Sequence, residues 1–407
     1  MATTDKQVKD IATAGPPDLG SHNRPWIIGF LVVIVVIFAT YTWILPELNS
    51  SVNDAARAWL PLTALNESLV WVICAVGLNI VVGYAGLLDL GYVAFWAIGG
   101  YVAAWLMSEF FFQVNINILG GGKEGAVGIH INFWIVLLVA GLFCALWGVI
   151  IGTPTLRLKS DYLAIVTLGF GEIIPQFFYN ADDLFGFNLS NGIKGISPVD
   201  PITVPGFLPG VPSELGVFAL NDKFLVYCLI AAVAVFISIR IRTGRLGRAW
   251  LAIREDELAA SMMGVPLMKT KLAAYAVGAF MGGLGGVAFA TQVNGVFVDR
   301  FNFSISIILL AMVVLGGMGN VWGVIMGALI LSWLNSTALP RIIEQTDSFR
   351  PERLTLGVIS YALFGMILVL MMLFRREGLF PETRTRQVLH EEERTEMESM
   401  HTDLEEQ

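Results

Sequence analysis

The sequence is poor in charged residues. Only 14% of its 407 residues are Asp, Glu, Lys or Arg, whereas 56% are apolar and the mean hydropathy is +0.70. Soluble proteins average about 25% charged and about 45–50% apolar residues. The composition therefore disfavours an ordinary soluble enzyme, and it disfavours a disordered chain, which needs high charge and low hydrophobicity. It favours an all-α polytopic membrane protein.

Cysteine and histidine are also scarce. Cys74, Cys144 and Cys228 each stand inside an apolar run without a CxxC pair, which argues against a disulfide framework and against a zinc site. The four His residues are scattered and show no ligand spacing. We therefore expect no catalytic residue, no metal site, no cofactor and no nucleic-acid partner.

Ten apolar runs are candidates for helices that cross the bilayer, each of which needs about 20 mostly apolar residues. The runs at 224–239 and 303–317 are short, and those at 91–107 and 162–180 are rich in polar residues or Gly, so we expect eight to ten spans with some broken or re-entrant. The candidates are residues 26–45, 62–82, 91–107, 132–152, 162–180, 224–239, 271–291, 303–317, 321–339 and 355–374.

Lys and Arg residues predict the orientation. If the N-terminus is cytoplasmic and all ten runs cross, roughly two thirds of the 25 Lys and Arg residues fall on the inside. The prediction is a cytoplasmic tail (1–25), a transmembrane domain (26–376) and an acidic cytoplasmic tail (377–407), in the cell membrane with both termini inside. The long outside loop 181–222 is either a docking surface for an external partner or a plain solvated loop.

The inside loop 240–271 carries the most specific signal. Good helix formers run from 250 to 263, Gly264 stands where a helix ends in a left-handed residue, and Pro266 follows. The loop therefore predicts one short cytoplasmic helix between two membrane helices, with Glu255, Asp256 and Glu257 projecting from it. Such a helix either fits a groove on a soluble partner or rests on the lipid surface.

This loop resembles the Glu-Ala-Ala loop of ABC importer permeases. Ala259, Ala260 and Gly264 match its spacing, while Leu258 holds the Glu position and Glu257 stands one residue earlier. The wider string GRAWLAIREDELAA is similar to the loop of branched-chain amino acid permeases of the LivM type. Strings at 83–104, 153–173, 313–328 and 373–381 extend the resemblance over about residues 70–381.

The resemblance implies the permease subunit of an ABC importer that translocates branched-chain amino acids. It implies a second membrane permease, cytoplasmic ATPases and an external substrate-binding protein as partners, besides the lipid bilayer. The chain has no GxxxxGK[ST] phosphate loop, so the energy has to come from another polypeptide. The residues expected to couple to the ATPase are Arg248, Trp250, Arg254, Glu255, Glu257, Ala259, Ala260 and Gly264.

Ionisable groups at membrane depth are candidates for the substrate pathway, because they usually face protein or water. Asp89 lies in a Gly-rich stretch that can break a helix, and Glu172 precedes Pro175. Either carboxylate could line the pathway, cap a broken helix or pair with a neighbouring chain. Asn79 and Thr167 are weaker candidates of the same kind.

Other functions remain open at this stage. A urea or short-chain amide ABC permease shares the same fold and loop. An ion-coupled secondary transporter belongs to a different class, and it is expected to show internal repeats and buried coupling charges; no convincing repeat is present. A membrane-bound enzyme lacks a supporting His or carboxylate cluster.

Overall fold

The computed structural model describes residues 58–118, 127–158, 160–203, 214–215 and 220–341, residues 29 and 40, and short pieces between 362 and 380. The predicted tails (except 378–380), the Gly-rich insert at 120–122 and most of the runs 26–45 and 355–374 lie outside these residues. The chain divides into two units, Met1–Leu48 and Asn49–Gln407, and the fold described below is that of the second.

The described part of this unit contains ten α-helices, and they confirm the all-α polytopic fold. Seven helical segments are long and apolar enough to cross a membrane, and a shorter apolar helix spans Val93–Leu106. The helices are α1 Leu62–Asn79, α2 Val93–Leu106, α3 Phe133–Thr155, α4 Ser160–Tyr179, α5 Leu220–Thr243, α6 Arg245–Glu255, α7 Glu257–Met262, α8 Leu267–Val293, α9 Phe303–Gly316 and α10 Val321–Trp333.

Two of the predicted spans differ from the structure. The run 224–239 is not short, because α5 continues to Thr243 through Arg240 and Arg242. Arginines can extend a membrane helix past the apolar layer, since long stems carry their charges toward the interface. The run 162–180 is not broken, because α4 is continuous although Pro175 lies within it.

Helix α8 forms the centre of the bundle and packs against α1, α2 and α3. Its glycines allow this: a Cβ at Gly286 would lie 2.6 Å from Gly100 N and 2.8 Å from Gly99 C, both in α2. A Cβ at Gly283 would lie 2.8 Å from Ala140 O in α3. The backbones therefore meet with no side chain between them, as small residues permit in membrane helices.

Helix α1 ends in a π-helical turn, Ile80–Tyr84, and the chain then runs without regular structure before α2 begins at Val93. We call residues 85–92 the α1–α2 break. Gly86 has φ +68°, a left-handed conformation that suits glycine. The break expected from the glycines of this stretch is therefore present.

Short strands occur at one end of the bundle, which the sequence did not predict. β1 Met107–Ser108, β2 Asn115–Ile118 and β3 Gly128–Ile131 form a sheet in the order β1-β3-β2, with β3 antiparallel to β1 and parallel to β2. β4 Ile202–Thr203 pairs with β5 Glu214–Leu215. The three-stranded sheet lies in the segment between α2 and α3, and the β4–β5 pair lies in the segment between α4 and α5.

Gly286→Val is expected to lower the free energy of unfolding of the purified chain by about 3 kcal/mol, because the new side chain would overlap backbone atoms of α2. Thermal unfolding in detergent measures the change. Gly169→Ala is the matched control: Gly169 is a helical glycine whose Cβ would meet no atom within 4 Å. Equal melting of both variants would contradict the close approach of α8 and α2.

Candidate functional site

The loop between α5 and α8 contains two helices, so the prediction of one helix over 250–263 is wrong. Asp256 adopts an extended backbone, φ −151° and ψ 109°, which separates α6 from α7. Its carboxylate Oδ1 accepts hydrogen bonds from the backbone N–H of Leu258 (2.8 Å) and Ala259 (3.0 Å). Asp256 is therefore an N-cap, because it satisfies donors that a helix start leaves open.

Gly264 ends α7 as predicted. It has φ +84°. The N–H of Val265 donates to the carbonyl of Ala260 at 3.1 Å, and the N–H of Gly264 donates to the carbonyl of Ser261 at 3.0 Å. This is the pattern of a helix that stops at a left-handed glycine.

One side of the loop is fixed to α8. Trp250 is fully buried, and its indole Nε1–H donates to the carbonyl of Thr270 at 2.8 Å. Ala260 is buried too, and the Glu257 carboxylate lies 2.6 Å from Lys271 Nζ. These contacts hold α6 and α7 against the start of α8.

The other side of the loop is exposed and apolar. Leu258, Met262 and Met263 are 67%, 78% and 85% exposed, and the first two stand four residues apart on one helix face. We call these three residues the α7 face. Sequence reasoning missed Met262 and Met263, although apolar residues at helical spacing in a short charged loop are a readable signal.

The predicted coupling residues divide between these two sides. Trp250 and Ala260 are buried, and Arg254 is half-buried and turned toward the membrane helices. Arg248, Glu255, Glu257, Ala259 and Gly264 are exposed.

Arg254 joins the loop to the α1–α2 break. Its Nη1 donates to the carbonyl of Gly83 at 2.5 Å, and its side chain packs so closely that a Cβ at Gly86 would lie 2.9 Å from Arg254 Cγ. A cavity of about 540 Å³ lies at this contact, lined by the break, the α3–α4 connection and α6. The loop thus touches the point at which α1 ends.

The break and the start of α2 are held by one side chain of the break itself and by side chains of α4 and α9. The N–H of Leu90 donates to Thr167 Oγ1 of α4 at 3.1 Å, and the N–H of Gly91 donates to Asp89 Oδ1 at 2.8 Å. The N–H of Val93 donates to Ser306 Oγ of α9 at 3.1 Å. These acceptors satisfy backbone donors that have no helical partner.

Three of the four predicted pathway residues lie around this break. Asn79, Asp89 and Thr167 are buried, and Asn79 Oδ1 accepts from the backbone N–H of Gly319 at 2.9 Å. Glu172 does not join them, because it lies on the exposed face of α4. Ser306 and Gly319 were missed, since a serine or glycine in an apolar run carries no signal of the element that it will meet.

At the end of the bundle that carries the short strands, side-chain hydrogen bonds connect the α2–α3 segment and the start of α3 to the α4–α5 segment. His130 Nδ1 lies 2.7 Å from Asp200 Oδ2, and Trp134 Nε1–H donates to the carbonyl of Thr203 at 3.0 Å. Phe185 has φ +54° and is 94% exposed, at the tip of a tight turn closed by Leu184 and Phe187. A bulky residue in this conformation is an outlier that often marks a functional surface.

Across the described ranges, no group of three or more His, Cys, Asp or Glu side chains is placed to hold a metal ion. Cys74, Cys144 and Cys228 are buried free thiols. What the described part offers is a bundle of apolar helices with a broken helix inside and a helical loop bonded to the break.

These features define a multi-pass membrane protein. The comparisons with known proteins are specific: a family model described as "Branched-chain amino acid transport system / permease component" matches residues 60–374. The chain belongs to this permease family, which is not a class of enzymes. The resemblance to LivM-type permeases is thereby confirmed.

Among its relatives is the high-affinity branched-chain amino acid transport system permease protein LivM of Escherichia coli, which is 34% identical over an alignment of 336 residues that covers 78% of this chain and 69% of that protein. The probable LivM of Methanocaldococcus jannaschii is 26% identical, covering 77% and 91%. LivH of E. coli, named as a permease of the same system, is 21% identical, covering 74% and 89%. No solved structure matches the chain.

Thr167→Val is expected to lower the free energy of unfolding by about 1–3 kcal/mol, because valine keeps the shape but leaves the buried N–H of Leu90 without an acceptor. Thr167→Ser keeps the acceptor and is expected to lose less. Thermal unfolding of the purified chain compares the two variants. A valine variant as stable as the parent would show that the break does not depend on this hydrogen bond.

Proposed function

We propose that this chain is the permease subunit of an ATP-driven importer of branched-chain amino acids. An external binding protein delivers the substrate, a separate cytoplasmic ATPase supplies the energy, and a second permease completes the pathway. The proposal rests on the family and on the names of the LivM relatives. The chain itself translocates and catalyses no reaction.

The α7 face is the observation that carries the proposal. It presents Leu258, Met262 and Met263 away from the bundle, beside the exposed Glu255 and Gly264. An apolar helix face with flanking charges suits a groove on a soluble partner. The loop behind this face is anchored by Trp250, so a force applied to the face is carried into the bundle rather than absorbed by the loop.

Arg254 is the proposed route of that force into the membrane. Its guanidinium bonds to Gly83 at the end of the π-helical turn, and the break that follows is held by Thr167, Asp89 and Ser306. We assign Asn79, Asp89 and Thr167 to the pathway as residues that hold the break in position while it moves. Trp250 and Ala260 hold the loop, and the exposed coupling residues meet the ATPase.

The orientation follows from the charges of the loops. The α5–α8 loop carries the densest group of Lys and Arg residues, which favours the cytoplasmic side of the cell membrane. The end with the short strands then faces outward. Its exposed Phe185, Phe187 and Phe112 and the acidic Asp182 and Asp183 form the surface that we assign to the binding protein.

The central test is ATP hydrolysis and uptake by the chain reconstituted with its ATPase, second permease and binding protein. Met262→Glu is expected to weaken ATPase binding about ten- to hundredfold, because an apolar contact worth about 1.5–3 kcal/mol is lost. Gly264→Asp and Ala260→Arg are also expected to uncouple hydrolysis from transport while membrane insertion persists.

Lys269→Ala is the control for Met262→Glu, since Lys269 is exposed at the start of α8 outside the α7 face. It is expected to leave coupling unchanged. Uptake without any ATPase, or coupling that survives Met262→Glu and Gly264→Asp, would refute the proposed function.

Arg254→Met is expected to leave ATPase binding intact but to lower uptake per ATP hydrolysed at least about fivefold. Methionine keeps the packing against Gly86, while the charge-assisted hydrogen bond to Gly83, worth about 1.5–3 kcal/mol, is lost. Arg245→Met, at an exposed arginine of the same helix, is the control. An unchanged ratio of uptake to hydrolysis would remove Arg254 from the route.

A tag at residue 401 is expected to react only from the cytoplasmic side in intact cells, because the charge distribution places both termini inside. Impermeant labelling before and after membrane permeabilisation measures this. Labelling of intact cells would reverse the proposed orientation.

A further inference from the structure

Helix α4 has two unlike faces. Its inner face, with Leu163, Thr167 and Gly171, packs on the α1–α2 break. Its outer face is exposed, and only 28% of the span is buried. We call Ile165, Gly169, Glu172, Ile173 and Gln176 the α4 stripe. Glu172 and Ile173 are adjacent, and each of the five residues lies three or four positions from another member, so they share one face of the helix.

The α4 stripe places a carboxylate at membrane depth. Helix α4 has 20 residues, a length of about 30 Å, which matches the hydrocarbon layer. Glu172 lies about 10 Å inside the helix end at Tyr179 by the helical rise. A charged group at this depth is costly in lipid and is normally found facing protein or water.

The exposed faces of α3 and α5 show what lipid-facing surfaces look like in this bundle. On α3, Leu138, Leu142, Leu146 and Ile150 are each at least 50% exposed, and on α5 Leu229 and Phe236 are 53% and 68% exposed. Both rows are apolar, whereas the α4 stripe contains Glu172 and Gln176. The stripe also contains Gly169, whose Cβ would meet no atom within 4 Å.

We propose that the α4 stripe is the surface that binds the second permease subunit. This rests on the proposed function and adds to it the place of the contact. Gly169 lets a partner helix approach closely, while Glu172 and Gln176 bond to it across the interface. Since α4 contains neither Lys nor Arg, a cation that pairs with Glu172 comes from the covering chain or from another segment.

A related but distinct chain is the favoured occupant. The relatives of this chain include LivM and LivH of the same organism, both named as permeases of one transport system. This chain is more similar to LivM, so the occupant is a permease of the LivH kind.

Photo-crosslinking in membranes that contain the whole importer tests the contact. A benzophenone side chain replaces Ile165 or Ile173 in the stripe, and Leu142 or Leu146 on α3 as matched controls. Mass spectrometry identifies the crosslinked partner. The stripe positions are expected to capture the second permease at least tenfold more than the α3 positions do.

Other captures overturn the inference. Crosslinks to lipid would make the stripe a lipid-facing surface, and crosslinks to another copy of this chain would make it a self-contact. Crosslinks within the chain, to residues 26–45 or 355–374 for instance, would mean that the chain covers its own stripe. Equal capture of the second permease at the stripe and at α3 would also show that the stripe is not the interface.

Glu172→Leu is expected to have different effects at a protein interface and at a lipid-facing surface. In an interface, the loss of the carboxylate is expected to reduce co-purification of the second permease at least fivefold, and Glu172→Gln is expected to retain part of it by hydrogen bonding. On a lipid-facing surface, Glu172→Leu would raise the yield of the chain and leave co-purification unchanged, which would refute the inference.

The failure of this inference is distinguishable from failure of the proposed function. If ATP-driven uptake depends on the α7 face but the stripe captures no permease, the importer stands and the contact lies elsewhere. If uptake needs no ATPase while a second membrane subunit crosslinks to the stripe, the interface stands and the energy source is wrong.

Discussion

A chain that leaves a helix has to find new partners for the backbone N–H groups that the helix no longer satisfies, because a buried N–H without a partner costs about as much free energy as a lost hydrogen bond. The organisation of this protein depends on that constraint at residues 85–92. Thr167, Asp89 and Ser306 accept the freed N–H groups, and they come from α4, the break itself and α9. Hydrogen bonds thereby join α4 and α9 to the segment between α1 and α2, and Arg254 joins the loop to the same place.

The elements that follow from local chemistry were predictable from the sequence. Apolar runs gave the spans, and Gly264 with Pro266 gave the end of α7, because both signals are carried by neighbouring residues. The separation of α6 from α7 was not foreseen, since an aspartate in a helix-forming run becomes a cap only when the chain turns there. The sequence suggested the same candidate roles for Asp89 and Glu172. In the structure Asp89 accepts a hydrogen bond from the backbone N–H of Gly91, whereas Glu172 lies on the exposed face of α4, and only the packing of α4 distinguishes the two.

The loop between α5 and α8 contains buried residues that anchor it and exposed residues that can meet a partner, and a sequence motif does not distinguish them. The resemblance groups Trp250, Ala260 and Gly264 together as coupling residues, although two are buried anchors and one ends a helix at the surface. The exposed α7 face lies at Leu258, Met262 and Met263, beside the matched positions. The motif therefore locates the element, while burial decides which side chains can meet a partner.

The close approach of α8 to α2 and α3 has a mechanical consequence. Where glycine backbones touch, a slide by one turn would drive the neighbouring Phe, Met or Ala side chains into the facing backbone, so these three helices keep their register and turn as one rigid block. We therefore expect any opening of the pathway to move other helices relative to this block rather than to shear the block itself.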